Sequence, residues 1–189
     1  ILFQNLKDIL LIISGPGSEV INFSPDSKYI VTASQDSTAR LWDLNGTELM
    51  VLKGDTSQMM SANFSPDGKY IVTGSGDNTA RIWNIQPKEN PVLKGHTAWV
   101  TDANFSPNGY FIVTAAFDYT ARLWDKGGKA IQVLGGHLHY GLDVAKFNHN
   151  GERIFTASDI THVWDLNGKK IKELSDHSNQ IQQVNISED

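Results

Sequence analysis

The chain has 189 residues, a formal net charge of -5 and no cysteine. Its length is enough for a core that hides roughly 70% of the unfolded surface, so folding requires no disulfide. The acidic balance gives no overall attraction to phosphate backbones or anionic lipid, which disfavours nucleic-acid and membrane-surface roles. A hydrophobic content of 40% and an aromatic content of 10% argue against intrinsic disorder.

The sequence repeats itself with a period of about 41 residues. Tryptophans recur at spacings of 41, 41 and 40, at positions 42, 83, 124 and 164. A Phe-Ser-Pro-Asp string at Phe23 and Phe64 returns in altered form at Phe105 and Phe147. Dividing 189 by 41 gives about 4.6 units, so we expect incomplete units at both ends.

The units divide the chain in a regular order. Residues 1–18 are predicted to hold the outer strand of a preceding unit and a linker. The four full units are predicted at residues 19–53, 54–94, 95–135 and 136–175. Residues 176–189 are predicted to hold the first strand of a further, incomplete unit.

Each unit contains four predicted strands. In the third unit they span 99–105, 111–116, 120–125 and 130–134. Asn108 and Gly109 form a hairpin turn between the first two, because both residue types accept a positive φ. The run 111–116 is almost continuously apolar, which indicates burial on both faces. Such a sheet must stack between neighbours, so the units are expected to form a ring.

These repeats resemble a known family. The strings at 38–43, 79–84, 120–125 and 161–165 resemble the Trp-Asp signature of WD-repeat β-propellers, and Gly-His pairs at 95–96 and 136–137 resemble the pair that opens each repeat. The resemblance implies an all-β, partial propeller of four full four-stranded antiparallel blades plus terminal strands of incomplete ones. For function it implies a non-catalytic platform, since partners of such propellers vary widely.

The resemblance also implies a hydrogen-bonded tetrad of histidine, threonine or serine, aspartate and tryptophan. These groups satisfy one another where each would otherwise be buried unpaired. In the third blade the members are His96, Thr114, Asp118 and Trp124. In the fourth blade they are His137, Thr156, Asp159 and Trp164, although the segment from threonine to tryptophan is two residues shorter than in the first blade.

The same residues permit a hydrolase reading. His96, Asp118 and Thr114 are the residue types of a base, an orienting acid and a nucleophile. The set recurs in the next unit, and repeated braces are expected of repeated units, whereas several equivalent active sites around one ring are unusual. The structural role is therefore favoured. Asp55 replaces histidine in the second unit, and the first unit has no clear counterpart, so looser bracing is expected there.

Aromatic residues occur where the loops of such propellers converge on one rim. Trp99 stands at the start of a first strand, and Met59 and Tyr140 lie near the equivalent positions of neighbouring units. Interfaces are enriched in such anchors. The simpler alternative is that these side chains cover a neighbouring blade.

The second-hairpin turns reach the same rim. The third unit carries Phe117 and Tyr119 there, whereas the first unit has Gln35 and the second has Asn78 among small polar residues. We therefore expect a protein or peptide partner, with polar specificity from Gln35 and Asn78. The predicted partner-binding residues are Trp99, Phe117, Tyr119, Met59, Tyr140 and Gln35.

Other roles receive less support. Arg40, Arg81 and Arg122 recur at one position of each unit, which repeat duplication explains better than a track for phosphate. The run Ile9–Ile13 is too short to cross a bilayer. The sequence contains no recognised nucleotide, zinc or calcium motif, so neither a cofactor nor a metal is expected. A cytoplasmic location is expected, and self-association through terminal blades remains an alternative function.

Overall fold

The computed structural model describes residues 18–86, 90–137 and 141–175, together with Ile181 and Val184. Within these residues, sixteen strands form four antiparallel sheets of four strands each. The predicted all-β architecture of four-stranded blades is therefore confirmed. The segments expected to hold incomplete units lie outside the described residues, apart from Ser18, Ile181 and Val184. The described part of the chain contains no helix able to span a bilayer.

Each sheet is one blade, and its strands are ordered as in the chain. Blade 1 consists of β1 (Ser18–Phe23), β2 (Tyr29–Ser34), β3 (Thr38–Asp43) and β4 (Glu48–Lys53). Blade 2 consists of β5 (Met59–Phe64), β6 (Tyr70–Ser75), β7 (Thr79–Asn84) and β8 (Val92–Lys94). Blade 3 consists of β9 (Val100–Phe105), β10 (Phe111–Ala116), β11 (Ala121–Asp125) and β12 (Ala130–Leu134). Blade 4 consists of β13 (Val144–Phe147), β14 (Arg153–Ala157), β15 (Thr161–Asp165) and β16 (Lys170–Leu174).

The repeated Ser-Pro pair builds the first hairpin of blades 1 to 3. In blade 3 the buried Ser106 hydroxyl donates to Asn108 Oδ1 at 2.7 Å and accepts from the Phe111 N–H at 3.0 Å. Gly109 completes the turn with a φ of 72°, a left-handed conformation that glycine adopts without steric cost. A serine hydroxyl can thus replace a missing backbone partner, which explains why this string recurs.

The core lies between the blades. At each interface, apolar residues from the second and third strands of one blade pack against an isoleucine and a tryptophan of the next. These pairs are Val31 and Leu41 with Ile71 and Trp83, Val72 and Ile82 with Ile112 and Trp124, and Val113 and Leu123 with Ile154 and Trp164. Because inner blades are covered on both faces, their second strands are apolar almost throughout.

Side-chain amides connect the first strands of consecutive blades. The amide nitrogens donate to backbone carbonyls one blade further along, from Asn22 to Ala62 at 2.7 Å, from Asn63 to Ala103 at 2.9 Å and from Asn104 to Ala145 at 3.0 Å. Lys146 holds this position in blade 4, and its Nζ donates to the Val184 carbonyl at 3.3 Å. We refer to these bonds as the inner ladder. They join residues about one period apart in sequence.

Candidate functional site

The tetrad residues of blade 3 meet in one hydrogen-bonded chain. Trp124 Nε1 donates to Thr114 Oγ1 at 2.9 Å, and Thr114 Oγ1 lies 2.7 Å from His96 Nε2. His96 Nδ1 lies 2.9 Å from Asp118 Oδ2. Because the Thr114 oxygen already accepts from the indole, its hydroxyl is free to donate to His96 Nε2, which leaves Nδ1–H to donate to Asp118. These hydrogen bonds connect the loop before β9 to the second and third strands of the blade.

The pKa shifts within this tetrad indicate a neutral His96 imidazole beside an ionised Asp118 carboxylate. Burial lowers the pKa of His96, although the adjacent Asp118 opposes that shift. Burial alone would raise the pKa of Asp118, but hydrogen bonds from Thr120, the Thr97 N–H and His96 outweigh it and hold this pKa below its usual value. The arrangement therefore carries one negative charge that three donors stabilise.

Blade 4 contains a variant of this chain with an added serine. Trp164 Nε1 donates to Thr156 Oγ1 at 2.8 Å, and Thr156 Oγ1 lies 2.9 Å from His137 Nε2. His137 Nδ1 lies 3.1 Å from the Ser158 hydroxyl, which donates to Asp159 at 2.8 Å. Ser158 therefore connects the imidazole to the carboxylate. Ser158 was not among the residues predicted from the sequence, although the two-residue shortening of the turn was the available signal.

A second histidine faces His137 in blade 4. The rings of His137 and His162 have centroids 4.2 Å apart, and His162 Nε2 lies 3.2 Å from Glu173 Oε2. Burial and the neighbouring His162 lower the pKa of His137 to about 4. Both rings are therefore neutral near pH 7, because burial also lowers the pKa of His162.

The first two blades keep only the threonine–tryptophan part of the tetrad among the described residues. Trp42 Nε1 donates to Thr32 Oγ1 at 3.0 Å, and Trp83 Nε1 donates to Thr73 Oγ1 at 2.9 Å. In blade 2 the residue at the histidine position, Asp55, forms an ion pair instead. Nowhere in the described residues do three His, Asp or Glu side chains gather as a metal site would require.

Trp99 and Phe117 form a stacked pair at one end of blade 3. Trp99 immediately precedes β9, and Phe117 immediately follows β10, so antiparallel pairing brings them to the same end. The Phe117 N–H donates to the Trp99 carbonyl at 2.9 Å, and the ring centroids lie 6.2 Å apart with planes 18° from parallel. The side chains remain 41% and 39% exposed. Two large aromatic rings are thus fixed in place and still face solvent.

Gly141 and Tyr119 border this pair. A Cβ at Gly141 would lie 2.5 Å from Phe117 Cδ1, so only glycine allows the chain to approach the ring this closely. Tyr119 is 47% exposed and has a φ of 65°. Its counterparts Ser37 and Asn78 have the same left-handed conformation. Asparagine tolerates that conformation better than tyrosine does, so folding does not explain an aromatic residue there.

The expectation that Met59 contributes to this rim is wrong. Met59 is fully buried and packs with Val31 and Leu41 between blades 1 and 2. The register of β5 against β6 shifts between Met59 and Ser61, and Met59 matches the buried Val100 rather than Trp99. An error of one residue along a strand exchanges the buried and exposed sides. The residue that corresponds to Trp99 is Gln58.

The remaining predicted rim residues differ in position. Gln35 is exposed in the turn after β2, at the position that Phe117 occupies in blade 3. Asn78 lies in the corresponding turn of blade 2. Tyr140 lies outside the described residues, so its predicted contribution stays a prediction.

The repeated sheets, the interfaces between them and the threonine–tryptophan bonds define a protein of the β-propeller class, whose blades do not close into a ring within the described residues. The sequence matches the family described as WD domain, G-beta repeat, over residues 11–43, 46–84 and 88–125. The chain therefore belongs to the WD-repeat family. Such repeats generally mediate protein–protein interactions as scaffolds. No curated protein matches the chain.

Proposed function

We propose that this chain is a non-catalytic scaffold that binds a peptide or protein segment through Trp99, Phe117 and Tyr119. We call these three residues the aromatic rim. The observation that carries the proposal is the solvent-exposed stack of Trp99 on Phe117. Exposed aromatic residues that cluster on a rigid framework are typical of binding hot spots.

The comparison with the sister blades supports this assignment. Blades 1 and 2 have Gln35 and Gly76 at the position of Phe117, and both blades are built around well-packed cores without an aromatic residue there. Blade 3 therefore has aromatic side chains that the blade architecture does not require. Tyr119 in addition stands in a backbone conformation that disfavours it.

The geometry supports tight binding because the rings are ordered before a partner arrives. The hydrogen bond from the Phe117 N–H to the Trp99 carbonyl connects the backbone of the two residues, and Gly141 packs closely against the Phe117 ring. A partner that covers the rim would lose little additional rotamer entropy on the protein side. Gln35 in the exposed turn of blade 1 and the half-buried Asn78 in the turn of blade 2 supply polar groups for specificity.

The same geometry disfavours the hydrolase alternative. The Thr114 hydroxyl is fully buried, and its oxygen is already bonded to both Trp124 and His96. A nucleophile must reach its substrate, and this oxygen has no solvent-exposed surface. Esterase or peptidase turnover that disappears in a folded His96→Ala variant would revive this alternative.

A peptide-display selection tests the aromatic rim. A random peptide library is selected against the wild-type chain, and enriched peptides are titrated against a Trp99→Ala/Phe117→Ser double variant. The matched control is Phe23→Ala, because Phe23 is similarly exposed but lies at the opposite end of its blade. We expect the double variant to lose binding and the control to retain it, with unchanged circular dichroism for both. Equal binding by the double variant would reject the site.

Self-association is a second candidate function, and one observation favours it. Leu174 on β16 is 43% exposed, whereas its counterparts Leu52, Leu93 and Leu134 are almost completely buried by a following blade. A second copy could cover this face. Light scattering tests the idea: self-association requires a mass of at least twice 20.9 kDa that falls in Leu174→Glu, whereas a monomeric mass excludes it.

A further inference from the structure

One position of the repeat differs in chemistry between the blades. The residue that follows the Trp-Asp or Trp-Asn pair is apolar in three blades, where it is Leu44, Ile85 or Leu166. In blade 3 it is Lys126. A charged residue at a position that otherwise packs against the core requires an explanation, since the strands around it are equivalent.

The apolar residues at this position fill a groove between blades. Ile85 packs against the core between blades 1 and 2, together with Tyr29 and Phe64. Leu166 packs with Phe111 in the equivalent place between blades 3 and 4. Blades 2 and 4 therefore each cover the junction with the preceding blade by one branched aliphatic side chain.

Between blades 2 and 3 this side chain is missing, and the groove is open. Its walls are Tyr70, Ile82, Pro91 and Phe105, with Lys126 at the border. The open space is about 180 Å³. Small-molecule sites usually measure roughly 300–1,000 Å³, so this groove suits a single side chain better than a cofactor.

Two further departures from the repeat border the same groove. The third strand of blade 2 ends in Asn84, whereas the other blades end in Asp43, Asp125 and Asp165. The outer strand β8 has three residues, and Pro91 precedes it. Proline has no N–H to extend the pairing, so the strand stops beside the groove.

The positive charge of Lys126 at the edge of the groove indicates which residues should flank a bound apolar side chain. Lys126 is exposed and takes part in none of the ion pairs found within the described residues. Asn84 lines the groove as a neutral amide where an aspartate would have supplied a nearby negative charge. A more polar depression beside the groove shares Tyr70, Gly109 and Lys126 with it and is bordered by Tyr110. Asp67 also lines that depression, and its carboxylate lies 3.9 Å from Lys69 Nζ. An acidic ligand would therefore meet Lys126, which has no ion-pair partner among the described residues, while Lys69 offsets the charge of Asp67.

We propose that this groove binds a leucine or isoleucine side chain from an acidic segment of a partner protein. The branched side chain would occupy the space that Ile85 and Leu166 fill at the other junctions, and a neighbouring carboxylate would pair with Lys126. The groove lies at the opposite end of blade 3 from the aromatic rim, because Phe105 ends β9 and Lys126 follows β11. The proposal is thus independent of the function assigned to the rim.

Fluorescence polarisation with defined peptides tests the groove. The probe is a labelled, acetylated pentapeptide with a central leucine flanked by glutamates, and the reference peptide has serine in place of leucine. We expect wild-type protein to bind the leucine peptide at least about tenfold more tightly, because the apolar side chain enters an apolar site. Raising the salt concentration should weaken this binding, since the carboxylates pair with an exposed lysine.

Variants at Lys126 separate filling of the groove from its charge. Lys126→Leu restores the residue type of the sister blades, so we expect loss of peptide binding and an unfolding midpoint about 2–4 °C higher. Lys126→Glu keeps the groove open, and it should prefer a leucine peptide flanked by lysines. Lys172→Glu makes the same charge change on the exposed outer strand of blade 4 and should bind like wild type.

Three results would overturn the proposal. The first is equal affinity of wild-type protein for the leucine and serine peptides, which would reduce the binding to charge attraction. The second is unchanged affinity of a folded Lys126→Leu variant, which would place the peptide elsewhere. The third is no binding of the leucine peptide by wild-type protein. Loss of rim binding in Trp99→Ala/Phe117→Ser would leave all three results unaffected, so the two sites are tested separately.

Discussion

Arg81 donates from Nε to Asp55 Oδ1 at 2.5 Å, and this ion pair stands in blade 2 where blades 3 and 4 have a histidine bonded to threonine. The Asp55 side chain is completely buried, and its second oxygen has no hydrogen-bond partner within the described residues. Burial raises the pKa of Asp55 to about 6, although Arg81 opposes the shift. Aspartate at the histidine position of blade 2 therefore places a poorly solvated carboxylate in a tetrad whose Thr73–Trp83 bond is intact.

Asp55→His should stabilise the protein. The imidazole would bond to Thr73 and Asp77 as His96 bonds to Thr114 and Asp118, and we expect a gain of about 1 kcal/mol in urea unfolding at pH 7. The folded-state pKa of Asp55, about 6, exceeds the ordinary value of 3.8. The ionised carboxylate therefore destabilises the fold above pH 6, and this destabilisation declines as the pH falls towards 3.8. The gain should therefore be largest above pH 6. Asp55→Asn is the control, and equal stability of the two variants would contradict the prediction.

His137→Asn should change how stability depends on pH. The folded-state pKa of His137 is about 4, below its ordinary 6.5, so wild-type protein loses stability as the pH falls from 6.5 to 4. The variant lacks this titration. We expect the stability advantage of wild type over the variant to shrink across that range, by up to about 3 kcal/mol.

The groups that surround His137 are His162, Lys170 and Glu173 from blade 4, and Asp159 from its shortened turn. They are present in both proteins, so the difference between the two unfolding curves isolates His137. Urea titrations at pH 7, 6, 5 and about 4.5 provide this difference. A difference that stays constant with pH would show that His137 does not titrate as described.

Tyr119→Asn should weaken rim binding and leave the fold at least as stable. Tyr119 has a φ of 65°, and Asn78 has the same conformation in blade 2. Asparagine accommodates the left-handed region more readily, so we expect a gain of up to about 1 kcal/mol. Thermal unfolding measures the stability, and a peptide selected by display measures the binding. A loss of more than about 1 kcal/mol in stability would indicate that the Tyr119 ring packs within the fold.

Asn63→Ala should weaken the stacking of blades. Asn63 Oδ1 accepts from Asn22 at 2.9 Å, and its amide nitrogen donates to the Ala103 carbonyl, so the change removes one bond of the inner ladder and one side-chain bond beside it. We expect a loss of about 1–3 kcal/mol in the free energy of unfolding. The control is Asn150→Ala, because Asn150 is exposed and its amide bonds to Glu152, two residues further along the chain. Equal losses in both variants would contradict a role for the ladder.

Much of the fold was accessible from the sequence because its signals are local. The strand pattern, the turn residues and the period near 41 repeat within short segments, and the third unit was predicted almost strand by strand. The threonine and tryptophan of the tetrad are ten residues apart in blades 1 to 3 and eight apart in blade 4. Side chains that share a register in antiparallel strands can be paired by counting alone.

The site was less accessible, because an offset of one residue along a strand exchanges its buried and exposed sides. The period of 41 aligns Trp99 with Gln58, so Met59 takes the buried position of Val100. Ser158 was missed because the shortened turn of blade 4 changes which hydroxyl reaches His137.

The sequence alone thus determined the family, the four blades and the residue types of the braces, since each depends on contacts within one repeat. Tertiary structure alone decided the inner ladder, the exposed stack of Trp99 on Phe117 and the open groove at Lys126. Each of these depends on residues that stacking or strand pairing brings together. A repeated sequence specifies its average unit, but a binding surface arises where one unit departs from that average beside a particular neighbour.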